Sequence, residues 1–400
     1  MRLLDAETMG RTSLAPDIYF RLLLIGYFEG IDSERGIAWR AADSLALRDF
    51  LGVGLGEATP DHSTISRTRR LIDLETHRAV FTWVLQCLGN GGLVKGKTIG
   101  IDATTLEANA ALRSIVRRDT GEGYEEFLRR LANASDIGTL TRADLARYDR
   151  RRKKKGSNDE WTHPHDPDAK ITKMKDGRTH LAHKADHAID LDTGALVGIT
   201  VQDADEGDAT TMQTTLSEAA EQLEAVAAVT DDAVSIIDKV VADKGCHSRT
   251  TVHDLATLGI RTYISEPERG RQSWSGQAPE REAVYANRRR IRGHCGQRLL
   301  RRRGELLERP CAHLYETGSL RRAYVRGHEN VLKRLLVHAS AFNLGLWMRR
   351  VFGIGTPRAL QGRVVAVLAM LGILGIDRQS VCQLRKAVIG SVRMAERAGM

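Results

Sequence analysis

Two short apolar runs, each cut off by an aspartate, constrain this chain most. One is Lys97-Thr98-Ile99-Gly100-Ile101-Asp102; the other is Lys239-Val240-Val241-Ala242-Asp243-Lys244-Gly245, with Ile236 and Ile237 just upstream. A short apolar run bounded by a breaker reads as a buried strand. In the first, Ile99 and Ile101 share one face while Thr98, Gly100 and Asp102 share the other. In the second, Gly245 lets the chain turn away directly after Asp243. Functional groups collect where the strands of open α/β sheets end. Two strand-end aspartates are what a carboxylate-bound metal site needs, although a lone aspartate at a strand end is commonly a turn cap.

The elements around these runs describe a mixed sheet. Residues 181–191 and 195–202 flank Asp192-Thr193-Gly194 and read as a β-hairpin. Asp203, Asp205, Glu206 and Asp208 precede a helix over 209–228, with Met212, Leu216, Ala219, Leu223 and Val226 at helical spacing. A helix over 247–257 and a strand over 261–264 follow the Asp243 run. Strand, insertion, hairpin, helix, strand, helix, strand is an α/β order with helices on the sheet faces. Residues 108–178 read as a polar, irregular insertion with one short helix over 122–132. Residues 266–280 read as a loop. A helix is expected to start beside Glu308, because Pro310 fits a first turn or else kinks the helix. Residues 329–350 read as an amphipathic helix and 353–357 as a linker to a helical tail.

The first ninety residues read as helical. Asp17, Ser33, Ser44 and either Asp61 or Ser63 are placed to cap successive helices. The last of these carries Arg67 and Arg70 on one face. Short helices, a turn and a basic helix fit a helix-turn-helix DNA reader, and fit an ordinary small bundle equally well. The expected layout is a helical domain over 1–92, a catalytic domain over 93–352 and a tail over 353–400.

With 400 residues and 42% apolar side chains there is room for two or three cored domains. The formal charge of +9 points to a polyanionic partner. It is clumped: 150–155 are six consecutive cations, and 281–303 carry nine arginines, among them Arg288, Arg289, Arg290 and Arg292. A basic run is otherwise a solvated loop. Five cysteines without close pairing suit a reducing, cytoplasmic setting. The N-terminus lacks a signal-peptide pattern. The most apolar late segment, 364–376, is too short to span a bilayer, so no membrane partner is expected.

Four stretches together carry a resemblance. They are Pro60-Asp61-His62-Ser63-Thr64-Ile65-Ser66-Arg67, Ile99-Gly100-Ile101-Asp102-Ala103-Thr104, Val241-Ala242-Asp243-Lys244-Gly245, and Leu307-Glu308-Arg309-Pro310 with Leu320-Arg321-Arg322. In this order and spacing the chain resembles bacterial insertion-sequence transposases of the DDE class, in the broad IS-four and IS-five-like group, over residues 15 to 350. The resemblance implies an RNase H-like fold, terminal-repeat DNA as substrate, and strand cleavage and joining with two magnesium ions, or manganese in their place. It makes Asp102, Asp243 and Glu308 the catalytic, metal-holding carboxylates, with Glu305 and then Glu316 as alternatives to Glu308. Gly304 and Tyr315 depart from the group's tyrosine, arginine, glutamate, lysine signature. Cys246 and Cys311 stand where aromatic residues are expected.

DNA phosphates are expected at Arg67, Arg70, Lys244, Arg288, Arg289, Arg290, Arg292, Arg321 and Arg322. Trp161 is either a core residue or a platform for an unstacked base. His163, His165, Asp166 and Asp168 resemble metal ligands but read as a mobile, proline-bounded loop. Cys246, His247, Cys295, Cys311 and His313 match no paired-cysteine zinc framework. The expected protein works on nucleoid DNA as at least a homodimer. Its rivals are an RNase H-like nuclease without strand transfer and an inactive DNA-binding relative.

Overall fold

The computed structural model describes residues 14–134, 141–152, 156–174, 177–230, 237–268, 270, 272–317, 320 and 322–359. The chain divides into two compact units, Met1–Leu344 and Gly345–Met400. The first unit holds every element discussed below except the end of the last helix, residues 345–352. In the second, the segment 364–376 and the rest of the tail from 360 lie outside the described residues.

Five helices open the chain: α1 (Pro16–Glu29), α2 (Glu34–Asp43), α3 (Leu45–Leu51), α4 (His62–Leu71) and α5 (Leu74–Asn90). Side-chain oxygens of Ser33, Ser44, Asp61 and Asp73 accept from the backbone N–H three residues on, as an N-cap requires. Asp17 is no cap; α1 starts at Pro16, and Asp17 lies in its first turn. Proline at a helix start costs no hydrogen bond, which moves that boundary one residue earlier. Gly30 and Gly52 end α1 and α3 in the left-handed conformation. Tyr19, Leu22, Ile25, Ile37, Ala41, Leu51, Ile65 and Ile72 form the shared core. Ten residues separate α3 from α4, where a helix-turn-helix uses three or four. The arrangement is a small helical cluster.

The strands are β1 (Thr98–Glu107), β2 (Val116–Arg117), β3 (Trp161–Thr162), β4 (Lys170–Lys173), β5 (Thr179–Asp190), β6 (Leu196–Asp203), β7 (Lys239–Ala242) and β8 (Arg261–Ile264). The main sheet runs β4-β5-β1-β7-β8, with β6 also paired to β5. β5 is antiparallel to β1, β4 and β6, while β1, β7 and β8 run parallel. The expected hairpin is β5–β6, turning at Gly194 with φ 85°.

Later helices are α6 (Tyr124–Asn133), α7 (Arg142–Arg151), α8 (Asp208–Ala227), α9 (Arg249–Thr257), α10 (Ala278–Arg292), α11 (His294–Ala312) and α12 (His328–Phe352). α8 lies close on β6 because Gly198 has no side chain: a Cβ there would stand 3.1 Å from Ala219 backbone and side-chain atoms. α5 grips α8 through Arg78 to Glu218, Thr82 to Gln222 at 2.6 Å and Gln86 to the Ala225 carbonyl at 3.1 Å.

Two further expectations fail. The insertion holds the expected short helix, as α6, but is otherwise not irregular: α6, α7, β2 and β3 enclose a core of Ile115, Phe127, Leu128, Ala132, Leu145, Trp161 and Leu181. Its apolar residues are too scattered in sequence to show a period. The helix carrying Glu308 starts at His294, not beside Glu308, so Pro310 is interior. Leu306 thereby loses its i+4 donor, and the helix widens into a π-turn over His313–Thr317.

Both edges of the sheet are closed by buried asparagines. Asn287 of α10 accepts from the Ile264 N–H at 3.0 Å and donates to the Ile264 carbonyl at 2.8 Å on β8. Asn343 of α12 does the same for Leu196 on β6, at 3.0 and 2.9 Å.

Candidate functional site

β1 and β7 pair in parallel with Thr98 opposite Lys239, Ile99 opposite Val240 and Gly100 opposite Val241. The pairing ends there; β7 stops at Ala242, and the same register continued for two residues would bring Asp102 opposite Asp243. Gly100 keeps this face flat: a Cβ there would lie 2.7 Å from Leu191 Cδ2. Asp102 lies inside β1, two residues past its pairing with β7, and not at a strand end as expected, because β1 runs on against β5 to Glu107; Asp243 directly follows the last residue of β7.

Each already has a partner. Arg303 of α11 donates to Asp102 Oδ1 at 2.8 Å and to the Ile101 carbonyl at 3.1 Å. Asp102 remains one-third exposed. Asp243 Oδ1 accepts from the Gly245 N–H at 2.9 Å and caps the 3₁₀ turn Lys244–Cys246. Behind it the Cys246 thiol is pushed well above its usual range, by burial first and then by the Asp243 and Asp208 carboxylates. Lys244 is exposed.

Glu308 is exposed on α11. At about 100° per residue it is turned about 140° from Arg303, which faces Asp102. Glu305, exposed, lies nearly opposite Arg303, and Glu316 is exposed in the π-turn. Glu308 and Glu305 thus lie off the face of α11 that Arg303 presents to Asp102. Among the described residues no group of three His, Cys, Asp or Glu is arranged to hold a metal ion. Two adjacent carboxylates still fit a hard cation, since magnesium retains waters and takes substrate phosphate as a further ligand.

The basic residues divide by their partners. Arg67 and Arg70 are exposed on α4, whereas Arg69 between them is paired with Glu34. The Asp61 cap at the head of that helix is lowered to about 2 by the Thr64 N–H and the Ser63 hydroxyl. Arg289 and Arg292 are exposed. Arg288 is held by both oxygens of Glu266, at 2.6 and 2.7 Å, with Tyr285 beneath it. Arg290 donates to the Thr262 carbonyl and Oγ1, each at 2.9 Å, and burial lowers its pKa. These two brace α10 on β8; they do not face solvent as the Arg-rich run suggested. Arg322 is exposed, and its backbone forms an isolated parallel β-bridge with Glu107 of β1; Arg321 lies outside the described residues. Arg150 to Arg152 close α7, and 153–155 lie outside the described residues.

Sequence reasoning missed a second basic face. Arg298, Arg301, Arg302 and Arg309 are all exposed on α11 and fall within an arc of about 100°. The inward Leu299, Leu307 and Pro310 fix that orientation. The signal was present, but reading the arginines as a run hid their period.

Trp161 is core: it is 2% exposed and meets Tyr124 and Phe127 edge to face. No base can stack on it. The His163 to Asp168 segment is not a mobile loop. Asp166 is fully buried, meets His183 Nε2 at 3.2 Å and accepts from the Gly327 N–H at 3.0 Å, while Asp168 accepts from the His328 N–H at 3.0 Å. Its acids have backbone partners on a distant element, which no local pattern reveals. Cys246 is buried and Cys295 exposed, and no zinc cluster forms among the described residues.

No helix among the described residues is long and apolar enough to cross a membrane. No curated protein matches the chain. Residues 2–71, which include α1 to α4, match a family model described as a transposase domain (DUF772), and that similarity supports a transposase.

Proposed function

We propose that this chain is a DDE-type transposase that binds the terminal inverted repeats of an insertion sequence and, with magnesium or manganese, cleaves and transfers DNA strands. The observation that carries the reading is the parallel β1–β7 pairing, Thr98 to Gly100 against Lys239 to Val241, whose continuation would bring Asp102 opposite Asp243. The strand order β6-β5-β1-β7-β8, in which β5 alone, second from one end, is antiparallel to the rest, supports an RNase H-like sheet. The transposase-domain match supports DNA as partner.

Asp102 and Asp243 would hold the cations through hard oxygen donors. Bound divalent ions polarise a phosphate and lower the pKa of an attacking water or 3′-hydroxyl. Arg303, which pairs with Asp102, would have to give up that bond for Asp102 to hold a cation. Glu308 would serve as a third ligand only with α11 turned toward the two aspartates. Arg67, Arg70, Lys244, Arg289, Arg292, Arg322 and the α11 arginines bind phosphates, which makes affinity fall steeply with salt. Joining two element ends requires two copies in the complex.

The test is cleavage and joining of terminal-repeat DNA by the parent, Asp102→Asn, Asp243→Asn, Glu308→Gln, Glu305→Gln and Glu316→Gln. Both aspartate variants should lose activity by at least about a hundredfold. Full activity in either refutes the reading. Cleavage without joining to a supplied 3′-hydroxyl end makes the protein a nuclease. DNA binding with no cleavage makes it an inactive relative.

A further inference from the structure

A carboxylate outside the strand-end pair faces the Asp243 turn. Asp208 is the first residue of α8. A Cβ placed on Gly245 would lie 2.4 Å from Asp208 Oδ2 and 3.2 Å from Asp243 Oδ1. Both carboxylates therefore border one point on the turn, and only a residue without a side chain leaves room for them. Like charges so close repel and need a counter-charge.

Lys184 supplies it. This residue of β5 is 4% exposed, and its Nζ donates to Asp208 Oδ1 at 2.7 Å and to the Glu206 carbonyl at 3.1 Å. The clamp fixes one oxygen of Asp208 while Oδ2 borders Gly245. Asp186, two residues along β5 and on the same face, is 1% exposed, and its Oδ1 has no hydrogen-bond partner. Burial raises the Asp186 pKa; Lys184 lowers it and Asp208 raises it again. Asp186, Asp208 and Asp243 all raise the pKa of the one buried Cys246 thiol. The edge of the site is thus more acidic than its two strand-end residues alone make it, and it includes a buried oxygen without a donor.

We propose that Asp208, clamped by Lys184, is a positioning residue of the strand-end site: it sets the Asp243 turn and adds the negative potential that draws a divalent cation to Asp102 and Asp243. The proposal rests on the reading of those two aspartates as cation ligands. Asp208 acts through Asp243, across Gly245. Lys184 keeps the acidic group compact before a cation binds.

The experiment is Mn2+ binding to the full chain without DNA, followed by electron paramagnetic resonance. Asp208→Asn, which keeps shape and removes charge, should weaken binding by about tenfold, the effect of one unit charge several ångströms from a divalent ion. Asp208→Glu should recover part of the loss. Gly245→Ala keeps every charge but forces the carboxylates apart, so it should also weaken binding, and it remains informative if Asp208→Asn does not fold. Parent-like affinity in folded Asp208→Asn or Gly245→Ala, with binding lost in Asp102→Asn, overturns the proposal and leaves the strand-end reading intact. Parent-like affinity in Asp102→Asn and Asp243→Asn overturns both.

Discussion

The two buried asparagines at the sheet edges allow a stability argument with few free terms. Asn287→Ala strands the N–H and C=O of Ile264, and Asn343→Ala strands those of Leu196. Both asparagines and both partners are fully buried, so water does not replace the lost bonds. Each stranded group costs about 1–3 kcal/mol, which makes about 2–6 kcal/mol per variant. β6 and β8 are separated by four strand spacings in the sheet order, roughly 19 Å, so the losses should add within about 0.5 kcal/mol. A domain of this kind has about 5–15 kcal/mol in total, so the double variant should sit near the unfolding threshold. Urea denaturation measures this, with a lowered midpoint and an unchanged slope expected for each single variant. Amide exchange should rise at Leu196 in one variant and at Ile264 in the other. Losses below about 0.5 kcal/mol in both, or unchanged exchange at both amides, would refute the reasoning.

Other substitutions test other layers. Gly198→Ala should cost about 1–3 kcal/mol in a melting experiment, because its Cβ meets α8 backbone as well as the Ala219 side chain. Trp161→Ala should cost about 3–5 kcal/mol, yet leave DNA affinity per folded molecule unchanged in a filter-binding assay. Arg289→Gln and Arg292→Gln should each reduce the salt slope of DNA binding by about one, whereas Arg288→Gln, whose guanidinium is engaged by Glu266, should not. Burial, and then Arg334, hold His338 well below its usual pKa. Above about pH 6.5 it is neutral whether folded or unfolded. As pH falls below that value the unfolded chain takes up a proton that the folded chain refuses, so stability drops by up to about 1.4 kcal/mol per pH unit. His338→Leu should flatten that acid loss in urea titrations at pH 7 and 5.5.

Local rules reached the helix caps, the Asp192-Thr193-Gly194 hairpin and the α8 helix, because each depends on residues a few positions apart. They also placed Asp102 and Asp243 at sheet positions suited to chemistry. What brings their strands together is the β1–β7 register, which joins segments 141 residues apart. The fates of Arg288 and Arg290 were hidden for the same reason: Glu266 and Thr262 lie 22 and 28 residues upstream. The insertion core was hidden because its apolar residues span 108 to 181 and converge only when Trp161 packs on α6. Asp208 was visible only as one of four acids before a helix; its place beside Asp243 came from the turn at Gly245.

The clasp of α5 on α8 bears on how such a protein can be recombined. The Arg78, Thr82 and Gln86 contacts fall along the body of α8, the helix whose first residue is Asp208. Splicing the leading helices of a relative onto this sheet would strip the outer side of that helix of its polar partners. The front of the chain and its sheet are therefore not interchangeable cassettes, and a viable chimera must carry α5 and α8 across the junction as a matched pair.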